Sequence, residues 1–120
     1  CGYPSREEKG NINIKVPRRV KDEEYLRLIR EGFLARVKTF RPEILFWNWG
    51  YDGTQGEYGD IGLTPDVHIL LVRELKKLAD EVTQGRFVIV LCGGSRRDLA
   101  HYLIPKIIEV LAEVDLPAHR

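Results

Sequence analysis

The stretch EILFWNWGYDGTQGEYGDIGLTPD, Glu43 to Asp66, changes character twice. EILFWNWG (Glu43–Gly50) is almost continuously apolar, and such runs suit a strand covered on both faces, as in parallel sheets. A loop rich in glycine and acid follows. Thr64-Pro65-Asp66 then reads as a helix start, with Thr as N-cap, Pro at the first position and an acid in the first turn. The helix is expected to run to about Gln84, with Leu70, Leu71, Leu75, Leu78, Ala79 and Val82 on its face and Gly85 ending it. Trp47 and Trp49 are expected on opposite faces of the strand.

Working outward, NINIKV (Asn11–Val16) alternates polar and apolar residues and predicts a half-buried strand closed by Pro17. Asp22 reads as N-cap of an amphipathic helix over 23–40, whose apolar face carries Tyr25, Leu26, Leu28, Ile29, Phe33, Leu34, Val37 and Phe40. Pro42 forbids its continuation. RFVIVLC (Arg86–Cys92) predicts a third strand. A last helix is expected over about 98–113, bearing Leu103, Ile107, Val110 and Leu111, with Pro105 marking a kink or restart. The order β-α-β-α-β-α implies parallel strands with right-handed crossovers. The expected fold is α/β with three layers, a parallel sheet carrying helices on both faces, in a single unit over 1–120.

The totals narrow the function classes. Hydrophobic content of 43% and charged content of 31% place the chain among globular proteins. A net charge of +1 gives no reason to expect nucleic acid or an anionic membrane as partner. No apolar run approaches the ~20 residues of a membrane span, and CGYPSREEKG at the start is not a signal peptide. Cys1 and Cys92 make no disulfide framework, and Cys92 in its apolar run reads as a small buried residue, so a reducing, cytoplasmic setting is expected. There is no Met and the chain opens on Cys1. It is therefore expected to be a processed product or part of something longer.

Ligands of open parallel sheets bind beyond the carboxyl ends of the strands. GYDGTQGEYGD and GGSRRD stand at those ends, and glycine lets backbone approach a ligand closely. Asp52, just past the strand, is placed as a metal ligand or catalytic acid would be; judged alone, it reads rather as a turn former. Glu57 and Asp60 read as solvated. Ser95-Arg96-Arg97-Asp98 fits a capping box, while Ser95, Arg96 and Arg97 at a helix start could instead bind an anion. His68 reads as a packing or surface residue.

These residues together resemble the zinc-dependent deacetylase family of histone deacetylases, acetoin-utilisation proteins and acetylpolyamine amidohydrolases, which share the arginase/deacetylase fold. The resemblance rests on GNINIKVP and DEEYLRLI, on FRPEILFWNWG, on Gly50-Tyr51-Asp52 followed by Gly56-Glu57, Gly59 and Leu63-Thr64, and on Gly93-Gly94. It implies that Asp52 is a zinc ligand and that Gly93, Gly94 and Ser95 line the substrate's acyl pocket. It implies amide hydrolysis of acetylated amines, by a zinc that lowers the pKa of its water and polarises the carbonyl. The chain departs from the family where Ser95 replaces a tyrosine after Gly-Gly, where Thr54 replaces a histidine, and where Glu57 replaces an aspartate. Nothing matches the family's Asp-x-His ligands or tandem histidines. One carboxylate cannot hold a catalytic zinc. The expectation is the C-terminal part of a deacetylase-like hydrolase, inactive alone and completed by an N-terminal half, with self-association through exposed sheet surface. The alternatives are a non-catalytic packing or assembly module and an anion-binding domain.

Overall fold

The computed structural model describes residues 10–113. Helix α1 (Asp22–Ile29) opens with three acids, which favour the positive end of the helix dipole. It widens into a π turn, Arg30–Leu34, and resumes as α2, Ala35–Phe40. At the π turn, Ile14 lies over Gly32, where a Cβ would stand 2.8 Å from the Ile14 side chain. Arg41 ends α2 in the left-handed conformation, just before Pro42. Strand β1 (Leu45–Trp49) follows, then the glycine-rich loop, helix α3 (Asp66–Val82), strand β2 (Phe87–Leu91) and helix α4 (Arg97–Ala112). The two strands are parallel and in register from Leu45 beside Phe87 to Trp49 beside Leu91. The chain is thus α/β, as its residue pattern predicts, with crossover helices between parallel strands.

The sheet departs from expectation in strand number. Among the described residues it has two strands, and Asn11–Val16 is not one of them. Ile14 and Val16 are half-buried, as the alternation required, but they pack on helical surface and the α1–α3 core instead of pairing along a sheet edge. Alternation reports one buried face, not what covers it.

A second correction concerns layering. Leu45, Trp47 and Trp49 of β1, with Phe87 and Ile89 of β2, all face the helices. One cluster joins Leu45 to Val20, Leu26, Leu63, Val67, Leu71, Leu75 and Ala79; another joins Trp49 to Ile69, Val72, Leu99, Leu103 and Ile107. Helix α3 feeds both clusters, which is why its buried residues run almost around it while Leu70 is exposed. The opposite sheet face is bare: Phe46 is 59%, Val88 39% and Val90 43% exposed. In these residues helices cover one face of the sheet and not both. The continuous apolar run required two covers, and the described residues supply one. Cys92 is exposed for the same reason, at the uncovered end of β2, and not buried. Trp47 and Trp49 share a face, their rings 5.9 Å apart, because residues two apart on a strand point the same way.

The caps also differ. Asp22 lies inside α1, and its carboxylate accepts from the Thr64 backbone N–H (2.9 Å) and from the Thr64 hydroxyl. Thr64 therefore spends its hydroxyl on α1 instead of capping α3. Helix α4 passes through Pro105 without restarting.

Candidate functional site

The carboxyl ends of β1 and β2 stay stitched beyond the strands, Cys92 N–H donating to Trp49 (2.7 Å) and Tyr51 N–H to Gly93 (2.9 Å). This extension carries the two glycine-rich segments side by side. Asp52 lies between them in a cradle of glycines. A Cβ on Gly50 or on Gly93 would stand 2.5 Å from Asp52 Oδ1, and one on Gly59 3.1 Å from Oδ2. A side chain at Gly93 would have to displace the Asp52 carboxylate and the Tyr58 hydroxyl. Among the described residues neither Asp52 carboxylate oxygen takes a hydrogen bond or ion pair. Half-buried Tyr25 feels its charge: desolvation, then Asp52, push the Tyr25 phenol up.

The loop around Asp52 is closed by its own groups. Gly59 N–H donates to the Asp52 carbonyl, and Ile61 N–H to that of Gly53 (both 3.1 Å). Asp60 is no solvated acid: its carboxylate accepts from Gly56 N–H (3.0 Å) and Gly62 N–H (2.8 Å), and these bonds hold it below the usual range.

Glu57 corrects the sequence reading most. It is 6% exposed. Its carboxylate accepts from Ser95 N–H and Ser95 hydroxyl (both 2.9 Å) and from Arg96 N–H (2.6 Å). Burial raises this carboxyl, but the Arg96 and Ser95 bonds and the Tyr58 N–H outweigh it, so it stays below its ordinary value. Ser95 is thus not a helix cap. The donors an anion would need at this turn are occupied by Glu57, and the Arg96 guanidinium pairs with Asp98. Those contacts take Ser95 and Arg96 away from the anion-binding reading. Tyr58 completes the junction, its hydroxyl accepting from Gly94 N–H (3.1 Å). Gly94 has φ 130°, and a Cβ there would enter the Tyr51 ring at 2.3 Å.

Behind the loop stands His68, 5% exposed, on α3. Trp49 Nε1–H donates to its Nδ1 (3.1 Å), and Thr54 Oγ1 lies 2.8 Å from its Nε2. Indole nitrogen can only donate, so Nδ1 is bare and Nε2 carries the proton toward Thr54. Burial lowers the ring's pKa to about 4, against the charges of Asp22 and Asp52. His68 is therefore a packing histidine, as the sequence suggested, and one that ties the strand, α3 and the Asp52 loop together. Tyr102 is engaged elsewhere, donating to Asp66 (2.6 Å).

The structure thus brings Asp52 and Gly93 together, sets Gly94 beneath Tyr51 and gives Ser95 to Glu57. Sequence reasoning missed Glu57, Tyr58 and the Thr54–His68 link. The one signal for Glu57 was its place in the Gly56-Glu57 pair.

A zinc site needs about three protein ligands. Among the described residues no group of three or more His, Cys, Asp or Glu side chains is placed to hold a metal ion. Asp52 fits one ligand position, open and unpartnered; the described residues do not fit a whole zinc site.

The model of the histone deacetylase domain matches residues 3–111. The chain belongs to the histone deacetylase family. Among solved structures, it superposes on that described as the histone deacetylase Clr3 with a TM-score of 0.68 and 19% identity, over 85% of this chain and 16% of that one. The HDA15 HD domain gives 0.66 and 19%, over 79% of this chain and 26% of that one. At this identity the likeness is one of fold. The chain therefore spans about a sixth and a quarter of those two histone deacetylase chains. No curated protein sequence matches it.

Proposed function

We propose that these residues form the C-terminal part of a zinc-dependent deacetylase-like hydrolase that cleaves amides of acetylated amines, and that residues outside those described complete its site. The single observation that carries the reading is the Asp52 carboxylate, unpartnered and ringed by Gly50, Gly59 and Gly93 at the carboxyl ends of two parallel strands. The zinc, when bound, would polarise an amide carbonyl and lower the pKa of a water. This chain's own contributions are positional. Asp52 presents one carboxylate ligand. Gly93 leaves open the space beside it, and Gly94 and Ser95 continue the wall of an acyl pocket. Glu57 fixes that wall by holding Ser95 and Arg96 through their N–H groups.

The same reading accounts for the bare sheet face. Further strands and helices over Phe46, Val88 and Val90 would give the three-layer sandwich implied by the apolar runs. Those side chains also support the second reading, a packing or assembly module.

The test is hydrolysis of N-acetyl-lysine peptide and acetylpolyamine by the complete natural protein and its Asp52→Asn variant. The expected result is acetate release by the parent and a loss of at least about 100-fold in the variant, since removing even an outer-shell partner of a metal costs 10–100-fold. Acetate release unaffected by Asp52→Asn would refute the assignment.

A further inference from the structure

Tyr58 is 70% exposed, yet its hydroxyl is fixed. Its oxygen accepts the Gly94 N–H at 3.1 Å. That same oxygen lies 3.0 Å from the point a Gly93 Cβ would occupy, and Asp52 Oδ1 lies 2.5 Å from that point. The phenol and the carboxylate thus flank one small space above Gly93. A phenol oxygen accepts and donates. Its oxygen accepts from Gly94, and its own proton remains to be donated.

Resting on the reading of Asp52 given above, we propose that Tyr58 is a catalytic residue whose O–H donates to the acyl oxygen of a substrate held beside Asp52. Three successive N–H groups, of Gly94, Ser95 and Arg96, are anchored on Tyr58 and Glu57. The donor is therefore held by the wall it faces. A donor placed in advance where negative charge develops on a carbonyl oxygen stabilises the transition state more than the ground state. Glu57 acts differently: its carboxylate is turned into the backbone, so it positions the wall and meets no substrate.

The experiment compares the complete natural protein with Tyr58→Phe and Glu57→Gln. Hydrolysis of N-acetyl-lysine peptide, zinc content, melting temperature and acetate affinity by calorimetry are measured on each. Tyr58→Phe is expected to lower kcat by about 100-fold or more, as loss of one such donor does, with KM, zinc content and melting temperature nearly unchanged and acetate bound about tenfold more weakly. Glu57→Gln is expected to lower the melting temperature and raise KM. Unchanged kcat and acetate affinity in Tyr58→Phe would overturn the proposal. So would a Tyr58→Phe variant whose kcat, KM and melting temperature move together as those of Glu57→Gln do, for then Tyr58 only braces the turn. If the parent hydrolyses no acetyl amide, the deacetylase reading fails by itself. Acetate affinity then decides for Tyr58: weakened in Tyr58→Phe it stands as the oxygen donor, unchanged it falls.

Discussion

Asp52 and His68 occupy opposite sides of one loop, and they differ in what their surroundings ask of them. Asp52 has space and no partner; His68 has two partners and no space. The histidine gives a pH prediction. In the fold its pKa is about 4, against 6.5 ordinarily. Between those values the unfolded chain binds more protons, so stability falls as pH drops through the window, by up to about 3 kcal/mol. His68→Gln should melt lower at neutral pH and lose part of the decline between pH 6.5 and 4, as followed by melting temperature against pH. An unchanged slope would contradict the buried neutral ring. The place of Asp52, just past an apolar strand, was legible in the sequence because it is local. Glu57 was not, because its partners lie 38 and 39 residues away. An acid in a glycine loop looks solvated until the second loop is brought against it.

Elements show where local rules stop short. The helices were legible from apolar spacing, since a buried stripe of side chains is all they need. Their caps were not: Thr64 and Ser95 have the right chemistry, but long-range carboxylates, Asp22 and Glu57, take their hydroxyls. Asn11–Val16 has the alternation of a strand and packs on helices. The two glycine loops behave as one interlocked element, and this is testable. Gly94→Ala places a methyl in the Tyr51 ring at a φ of 130° and should cost about 2–4 kcal/mol in chemical denaturation, strain and overpacking together. Leu103, fully buried between α4 and the sheet, offers a comparison: Leu103→Ala should cost a similar 2–5 kcal/mol through the cavity it leaves. The two should separate on function. Gly94→Ala alters the wall beside Asp52, so acetyl-amide hydrolysis should fall further than its stability loss explains, whereas Leu103→Ala should track stability alone.

For the whole molecule, the decisive feature is asymmetry. One sheet face is packed under helices and the other presents Phe46, Val88 and Val90 to solvent. The sequence forecast two covered faces because the strands are apolar on both sides; which segments cover the second face is not written in these residues. The 120 residues by themselves should self-associate through that face, and Phe46→Lys with Val88→Lys should reduce the association in sedimentation at micromolar concentration. A monomeric parent would count against an unpartnered face. The site is open in the same way: one unpartnered carboxylate stands among glycines, and the proposed zinc would need its other ligands from outside the described residues. Zinc stoichiometry of the complete natural protein, set beside its Asp52→Ala variant with folding checked by melting temperature, tests that claim most directly. The account predicts about one zinc per chain in the parent, lost from a folded variant. A metal-free parent, or a variant that keeps its zinc, would contradict it.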